Sequence, residues 1–326
     1  MDCIITEESF ESLTSVWNQP DNGLNWNSVF ILPVWMNTWW QVFGKDTGLH
    51  LRAFRQGEKV IGIAPLKVKD GTASFIGSTN VCDYLDFIVA PGKETDFSEA
   101  ILDDLKENGI KRLELESLRP DSAALTSLAE IAVNRNCEVT IKREDVSVDV
   151  ELPSSWDEYL QILNSKQRHE VRRKLRRLQE AGQVNYCTIE KSEDVQGVMD
   201  TFIKMFTESR DDKADFLTDE MESFFRLLTM ILADAGLLKL GVLELDSVPA
   251  AMVICFDYNN GMYLYNSGYD PQYTSLSVGV LSKAFCIKES IEAGKERFDF
   301  LRGDEVYKYR LGGKEIPIYN CRIEIK

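Results

Sequence analysis

The clearest hydrophobic patterning lies in the second half of the chain. Ser155-Trp156-Asp157-Glu158 has the spacing of a capping box, and Trp156, Tyr159, Leu160 and Leu163 follow at helical intervals, which predicts a short helix. A second helix is expected over 166–181, with Val171, Leu175 and Leu178 as a narrow apolar stripe and Gly182 as its stop. A strand pattern at 184–189 precedes an amphipathic helix marked by Val195, Val198, Phe202 and Phe206, and a further helix is expected at 220–235. Segments 238–245, 250–258 and 262–269 read as an antiparallel meander, turning at Asp246-Ser247 and at Asn259-Asn260-Gly261. Helix 277–293, strand 297–301, a short helix or turn at 304–311 and strand 316–325 complete the order.

The first half repeats this pattern weakly. The run Asn108-Gly109-Ile-Lys-Arg-Leu-Glu-Leu parallels Ala293-Gly294-Lys-Glu-Arg-Phe-Asp-Phe, and Val60-Ile-Gly-Ile-Ala parallels Val248-Pro-Ala-Ala-Met at nearly the same offset. The expectation is an α/β (α+β) chain of two tandem copies, 1–152 and 153–326, each a mixed, mostly antiparallel sheet flanked by helices. A length of 326 residues suits two cores of about 150 residues each.

Composition narrows the chemistry. Hydrophobic residues are 44% and charged residues 28%, a globular profile with neither a membrane-length apolar run nor a basic-then-apolar leader at Met1-Asp2-Cys3, so a cytoplasmic protein is expected. Seven cysteines occur singly and there are two histidines, which points to reduced core thiols and no metal site. The net charge of −16 disfavours long nucleic acid, so an anionic ligand needs a local basic site. The run 166–177 is such a place, with seven Lys or Arg against Glu170 alone; it is either a solvated face or an anion site using Arg172, Arg173 and Arg176.

Asp299-Phe300-Leu301-Arg302-Gly303-Asp304 followed by Tyr307-Lys308, the basic helix ending at Gly182, and Asp83-Tyr84-Leu85-Asp86 together resemble the CelD-like acyltransferases of the GNAT superfamily, relatives of the Fem-type aminoacyltransferases. The resemblance extends from about Phe30 to Lys326. It implies transfer of an acyl group to an amine, with acetyl-CoA or another acyl-CoA as co-substrate and no metal. The Fem-type alternative would draw on charged tRNA and a peptidoglycan-type acceptor, and a non-catalytic adaptor is the third reading. Resemblance also places the donor pyrophosphate at the turn Ser275, Ser277, Val278, Gly279, where free N–H groups and the helix dipole favour an anion, with Arg302 nearby. Tyr307 stands where many GNAT enzymes carry a general acid, and Lys308 where Fem-type enzymes carry a lysine taken to be catalytic.

An amine of pKa about 10.4 costs roughly 4–5 kcal/mol to neutralise at pH 7, so a base matters most. Asp304, Glu305, Asp299 and Asp257 are the candidates, and Asp304 is preferred because helical spacing would let it share a cleft with Tyr307. Asp83, Tyr84, Asp86 and Tyr265 are further acceptor-binding candidates. Trp35, Trp39, Trp40 and Phe43 recur at helical spacing and read first as core, with a cleft wall as the alternative.

Overall fold

The computed structural model describes residues 3–19 and 22–326; Met1 and Asp2, on which part of the leader reading rested, lie outside them. The chain forms two compact units, one of Met1–Val146 with Ile316–Lys326 and one of Ser147–Glu315. In chain order the first half contains β1 (Ile4–Glu7), α1 (Phe10–Trp17), α2 (Pro33–Phe43), β2 (Gly48–Gln56), β3 (Lys59–Lys69), β4 (Thr72–Phe75), β5 (Ile88–Val89), α3 (Glu94–Glu107), β6 (Arg112–Leu118), α4 (Ala129–Asn134) and β7 (Glu138–Glu151). The second half contains α5 (Trp156–Ile162), α6 (Ser165–Ala181), β8 (Val184–Ile189), α7 (Ser192–Glu208), α8 (Asp211–Phe216), α9 (Asp219–Asp234), β9 (Leu238–Leu245), β10 (Val248–Tyr258), β11 (Gly261–Tyr269), α10 (Val278–Glu292), β12 (Arg297–Arg302), α11 (Val306–Arg310) and β13 (Lys314–Glu324).

In the first unit β1, β2, β3 and β4 form an antiparallel series, and β6 joins β4 in parallel after the crossover through α3. The second unit repeats the plan: β8, β9, β10 and β11 are antiparallel, and β12 joins β11 in parallel after α10. The two similar segment pairs of the sequence fall on matching strands, β3 with β10 and β6 with β12. Both units are therefore mixed α/β layers of mostly antiparallel sheet and flanking helices, as the patterning predicts.

Two features depart from the linear reading. The last strand does not stay with its sequence neighbours, for β13 pairs antiparallel with β6, Cys321 facing Leu115 and Glu324 facing Arg112. The short helix α8 was not visible in the pattern, because Asp211-Asp212-Lys213 breaks any apolar stripe.

In the second unit the sheet has two distinct faces. Val253, Cys255, Met262 and Leu264 pack with Ala284, Ile287 and Ile291 of α10. On the other face Tyr265 meets Phe256 and Phe225 of α9, and Gly268 lies against Met205 and Phe206 of α7. Cys255 and Cys286 are buried thiols with sulfurs 3.5 Å apart, the core role expected of scattered cysteines.

Candidate functional site

The parallel ladder of β11 and β12 covers Gly261/Arg297, Met262/Phe298 and Tyr263/Asp299, and there it ends. Two local features part the strands. On β11, Leu264 faces Cys255 and Asn266 faces Ile254, so Tyr265 is an extra residue, a bulge that bends the strand. On β12, Leu301 adopts a left-handed backbone at φ +60°, and its N–H is held at 2.8 Å by Oδ1 of the buried Asp299.

A left-handed leucine costs about 1–2 kcal/mol and persists only where its surroundings fix it. Here the fixing group is Lys308. Its ammonium donates to the carbonyls of Leu301 at 3.0 Å, Arg302 at 2.5 Å and Gly303 at 3.0 Å, and lies 2.9 Å from Glu305 Oε2. Three N–H donors meet three carbonyls on a side chain that is only 1% exposed. The Asp299 to Lys308 run thus acts in this structure as a clamp that shapes the far wall of the gap, with Arg302 as part of the clamped loop.

At the gap, side chains from both faces of the sheet converge. Lys283 enters from α10, with Nζ 2.6 Å from the Gly279 carbonyl and 5.0 Å above the Tyr307 ring. From the opposite face Lys213 of α8 donates to the Ser267 carbonyl of β11 at 2.5 Å and stacks over Phe206. Burial, then the charge of Lys213, pushes the Lys283 amine down to about 7. Burial and the Glu305 carboxylate raise the Tyr307 phenol well above its ordinary range. Neither Lys283 nor Lys213 was singled out from sequence; the available signal was a lone lysine on the apolar face defined by Leu281, Ala284 and Ile287.

Asp304 is exposed and precedes α11, whose N-cap is Glu305, so it lies outside the helix and does not gain helical spacing with the half-buried Tyr307. The bend at Gly303 (φ +105°) turns it away from that register. Asp257 lies at the paired end of β11 and β12, opposite Met262, and is bound to Lys295 at 2.5 Å. Tyr265 is the bulge residue itself.

Ser277 stands immediately before α10 in a left-handed conformation (φ +60°) and does not cap it with its side chain; its carbonyl takes the N–H groups of Val280 and Leu281. Val278 is buried and Ser275 is exposed in the preceding 3-10 turn, Pro271–Leu276. The glycine at 279 answers to packing, since a Cβ there would lie 2.8 Å from the Tyr269 ring.

The basic helix α6 runs beside this turn, its Leu175 and Leu178 packing with Val278, Leu281 and Leu276. Its cations are unequal. Arg173 is engaged by Glu170 at 2.9 and 2.8 Å, which holds the Glu170 carboxyl down at about 2, and Arg176 faces Glu180 at 3.7 Å. Arg172 and Arg177 are exposed with no ion pair among the described residues.

Asp83, Tyr84 and Asp86 belong to the first unit. Asp86 is buried and accepts N–H groups from Phe87 at 2.9 Å, Ala123 at 2.9 Å and Ala124 at 3.3 Å, a structural tie; burial lifts its carboxyl to about 7. Tyr84 packs edge-on against Phe30 beneath the Arg119 guanidinium, while Asp83 is half-buried. Among the described residues no His, Cys, Asp or Glu group is placed to hold a metal ion, and no helix is long and apolar enough to cross a membrane.

No curated protein matches the chain in sequence. Among solved structures it is similar to FemX, with a TM-score of 0.65 at 12% identity over 97% of this chain and 96% of that one. It is also similar to the C-terminal domain of an Agrobacterium fabrum protein assigned as a lysylphosphatidylglycerol synthetase (TM-score 0.58, 12% identity, 96% and 90% covered). A conserved protein of unknown function from Bacteroides thetaiotaomicron has a TM-score of 0.58 at 12% identity, with 98% and 99% covered. At such identities the likeness is one of fold. Residues 165–309, which contain α6, the parted strands and the clamp, match the family model of the acetyltransferase (GNAT) domain, and this segment therefore belongs to the GNAT superfamily.

Proposed function

We propose that the second unit is an N-acyltransferase that takes an acyl group, acetyl being the simplest case, from acyl-CoA to the amine of a small or phosphorylated acceptor. The observation that carries this reading is the gap between β11 and β12, reached from one face by Lys283 and from the other by Lys213, with the turn before α10 and the cationic face of α6 alongside. A thioester arm fits an opening between two parted strands. Its phosphates fit the helix N-terminus and Arg172, where dipole and charge act together. The acceptor amine attacks the acyl carbon and the C–S bond breaks beside Lys283 and Tyr307, whose ring centre lies 5.0 Å from the Lys283 nitrogen.

The test is calorimetric and thermal-shift titration of the full chain with acetyl-CoA and longer acyl-CoAs, with uncharged tRNA alongside. Saturable acyl-CoA binding with a rise in Tm supports the reading. Binding of tRNA without CoA replaces it with the Fem-type donor, a reading favoured by the exposed Arg172 and Arg177; binding of neither replaces it with a non-catalytic adaptor.

A further inference from the structure

The helix α10 is apolar on its buried side, where Val278, Leu281, Ala284, Ile287 and Ile291 pack, and Lys283 shares that side at 5% exposure. A buried ammonium costs several kcal/mol unless it is paired and fully hydrogen-bonded. Lys283 has neither: among the described residues it makes one hydrogen bond, to the Gly279 carbonyl, one ring contact, to Tyr307, and no salt bridge. Among the described residues the groups that face it are Lys213 from α8, Cys255 from β10, Cys286 of its own helix, and Tyr307 and Glu305 at α11. Glu305 is the single carboxylate among them, and it is engaged by Lys308 at 2.9 Å.

Lys308 shows what a satisfied buried ammonium looks like in the same unit, with three carbonyls and a carboxylate. Lys283 has the environment of a free amine, which carries a lone pair. Its neighbours Tyr307, Glu305 and Lys213 are each partly exposed, so the amine lies one side chain beneath the surface of the gap.

We infer that Lys283 is the proton carrier of the transfer, its amine accepting the proton that the acceptor nitrogen sheds as it attacks and passing it to the leaving thiolate. The assignment rests on the acyl-transfer reading above. The step balances without a further reactant: the acceptor ammonium gives one proton to water, the free amine forms the N–C bond, the C–S bond breaks, and the second proton travels from the acceptor nitrogen through Nζ of Lys283 to sulfur. While it holds that proton, the new ammonium lies over the Tyr307 ring, a contact that favours a cation. A base whose affinity for the proton is matched to neutral pH is the efficient choice for such a relay.

Three measurements on the full chain decide it. Competitive labelling of wild-type lysines with acetic anhydride across the neutral to alkaline range is expected to show Lys283 reacting with an inflection near the neutral end, far below its fellow lysines. Titration with acetyl-CoA is expected to give Lys283→Met the wild-type affinity, while CoA release in the presence of glucosamine as acceptor falls about 10²–10³-fold. Methylamine is expected to restore part of the lost rate to Lys283→Ala, more so as pH rises.

Labelling that titrates near the ordinary value of about 10.4, or a Lys283→Met enzyme with unchanged rate, overturns the assignment and leaves the acyl-CoA reading standing. Failure of the wild-type protein to bind acetyl-CoA overturns both, and the binding titration identifies that case before any rate is measured.

Discussion

The two units part their strands at the same point of the same plan and treat the opening in opposite ways. In the first, β4 and β6 pair at Thr72/Arg112, Ala73/Leu113 and Ser74/Glu114 before β4 ends. The chain after β4 then folds back into the vacancy: Leu85 donates to the Ser117 carbonyl at 3.0 Å, and the Ser117 hydroxyl donates to the Cys82 carbonyl at 3.1 Å. The tryptophans of α2 pin this plug, Trp35 to the Cys82 sulfur at 3.2 Å and Trp39 to Ser78 at 3.4 Å, which accounts for their spacing as core. Lys67 beneath it is held by the carbonyls of Phe75 and Gly77 and lies over Trp39.

In the second unit the corresponding strand keeps a left-handed residue at almost the same place, Leu301 for Ser117, but its N–H is turned inward to Asp299 and no plug follows. One opening has become core and the other is lined with cations. The shared strand plan leaves two vacancies, and the side chains around them differ.

The sharpest way to break this comparison is to remove the clamp. Lys308→Met leaves three loop carbonyls and Glu305 without their donor, and a loss of about 3–5 kcal/mol is expected in urea unfolding, with acetyl-CoA binding lost as the gap collapses. If stability holds while activity vanishes, Lys308 acts in the chemistry and not on the loop.

The next effect belongs to the plug. Asp86→Ala orphans the N–H groups of Phe87, Ala123 and Ala124, for an expected cost of about 1–3 kcal/mol with acetyl-CoA affinity unchanged. The same group gives a pH signature. Its carboxyl is raised from 3.8 to about 7 by burial, so the folded state binds the extra proton between those values. Stability contributed by Asp86 is then full below about 4 and declines as pH rises to about 7. The urea midpoint of wild type relative to Asp86→Asn should fall over that window, and a flat difference would mean that the carboxylate is ionised in the fold.

The smallest effect is expected on α6. Arg172→Glu should weaken acetyl-CoA a few-fold at low salt and scarcely at high salt, because the site is exposed and screened. Arg173→Glu should do so no more strongly, since Glu170 already engages its guanidinium. Equal, salt-independent effects would place the donor elsewhere.

The layers, the tandem repeat and the meander of this fold were legible in the sequence because period-two and period-3.6 patterns are local. The site was legible only in outline. The Asp299 to Lys308 motif falls at the wall of the gap, yet the three carbonyls that Lys308 binds are not displayed by a sequence. Lys283 carried a faint local signal, a charge on an apolar helical face, but its distinction lies in having no ion pair among the described residues, a property of tertiary surroundings. The preference for Asp304 assumed helical spacing across a bend whose Gly303 and Glu305 are not helical. Gly279 fits a phosphate turn by type, although the Tyr269 ring alone requires it.

The pairing of β13 with β6 has a consequence for synthesis. Arg112 and Glu324, whose side chains meet at 3.0 Å, are separated by 212 positions, and all of Ser147–Glu315 is translated between them. On the ribosome the first unit must wait with one flank of β6 uncovered until the second has emerged, although domains usually fold in order from the N-terminus. An uncovered strand edge invites pairing with another chain. A nascent chain stalled before Ile316 is thus a natural client for a chaperone, and premature termination there would injure the unit made first.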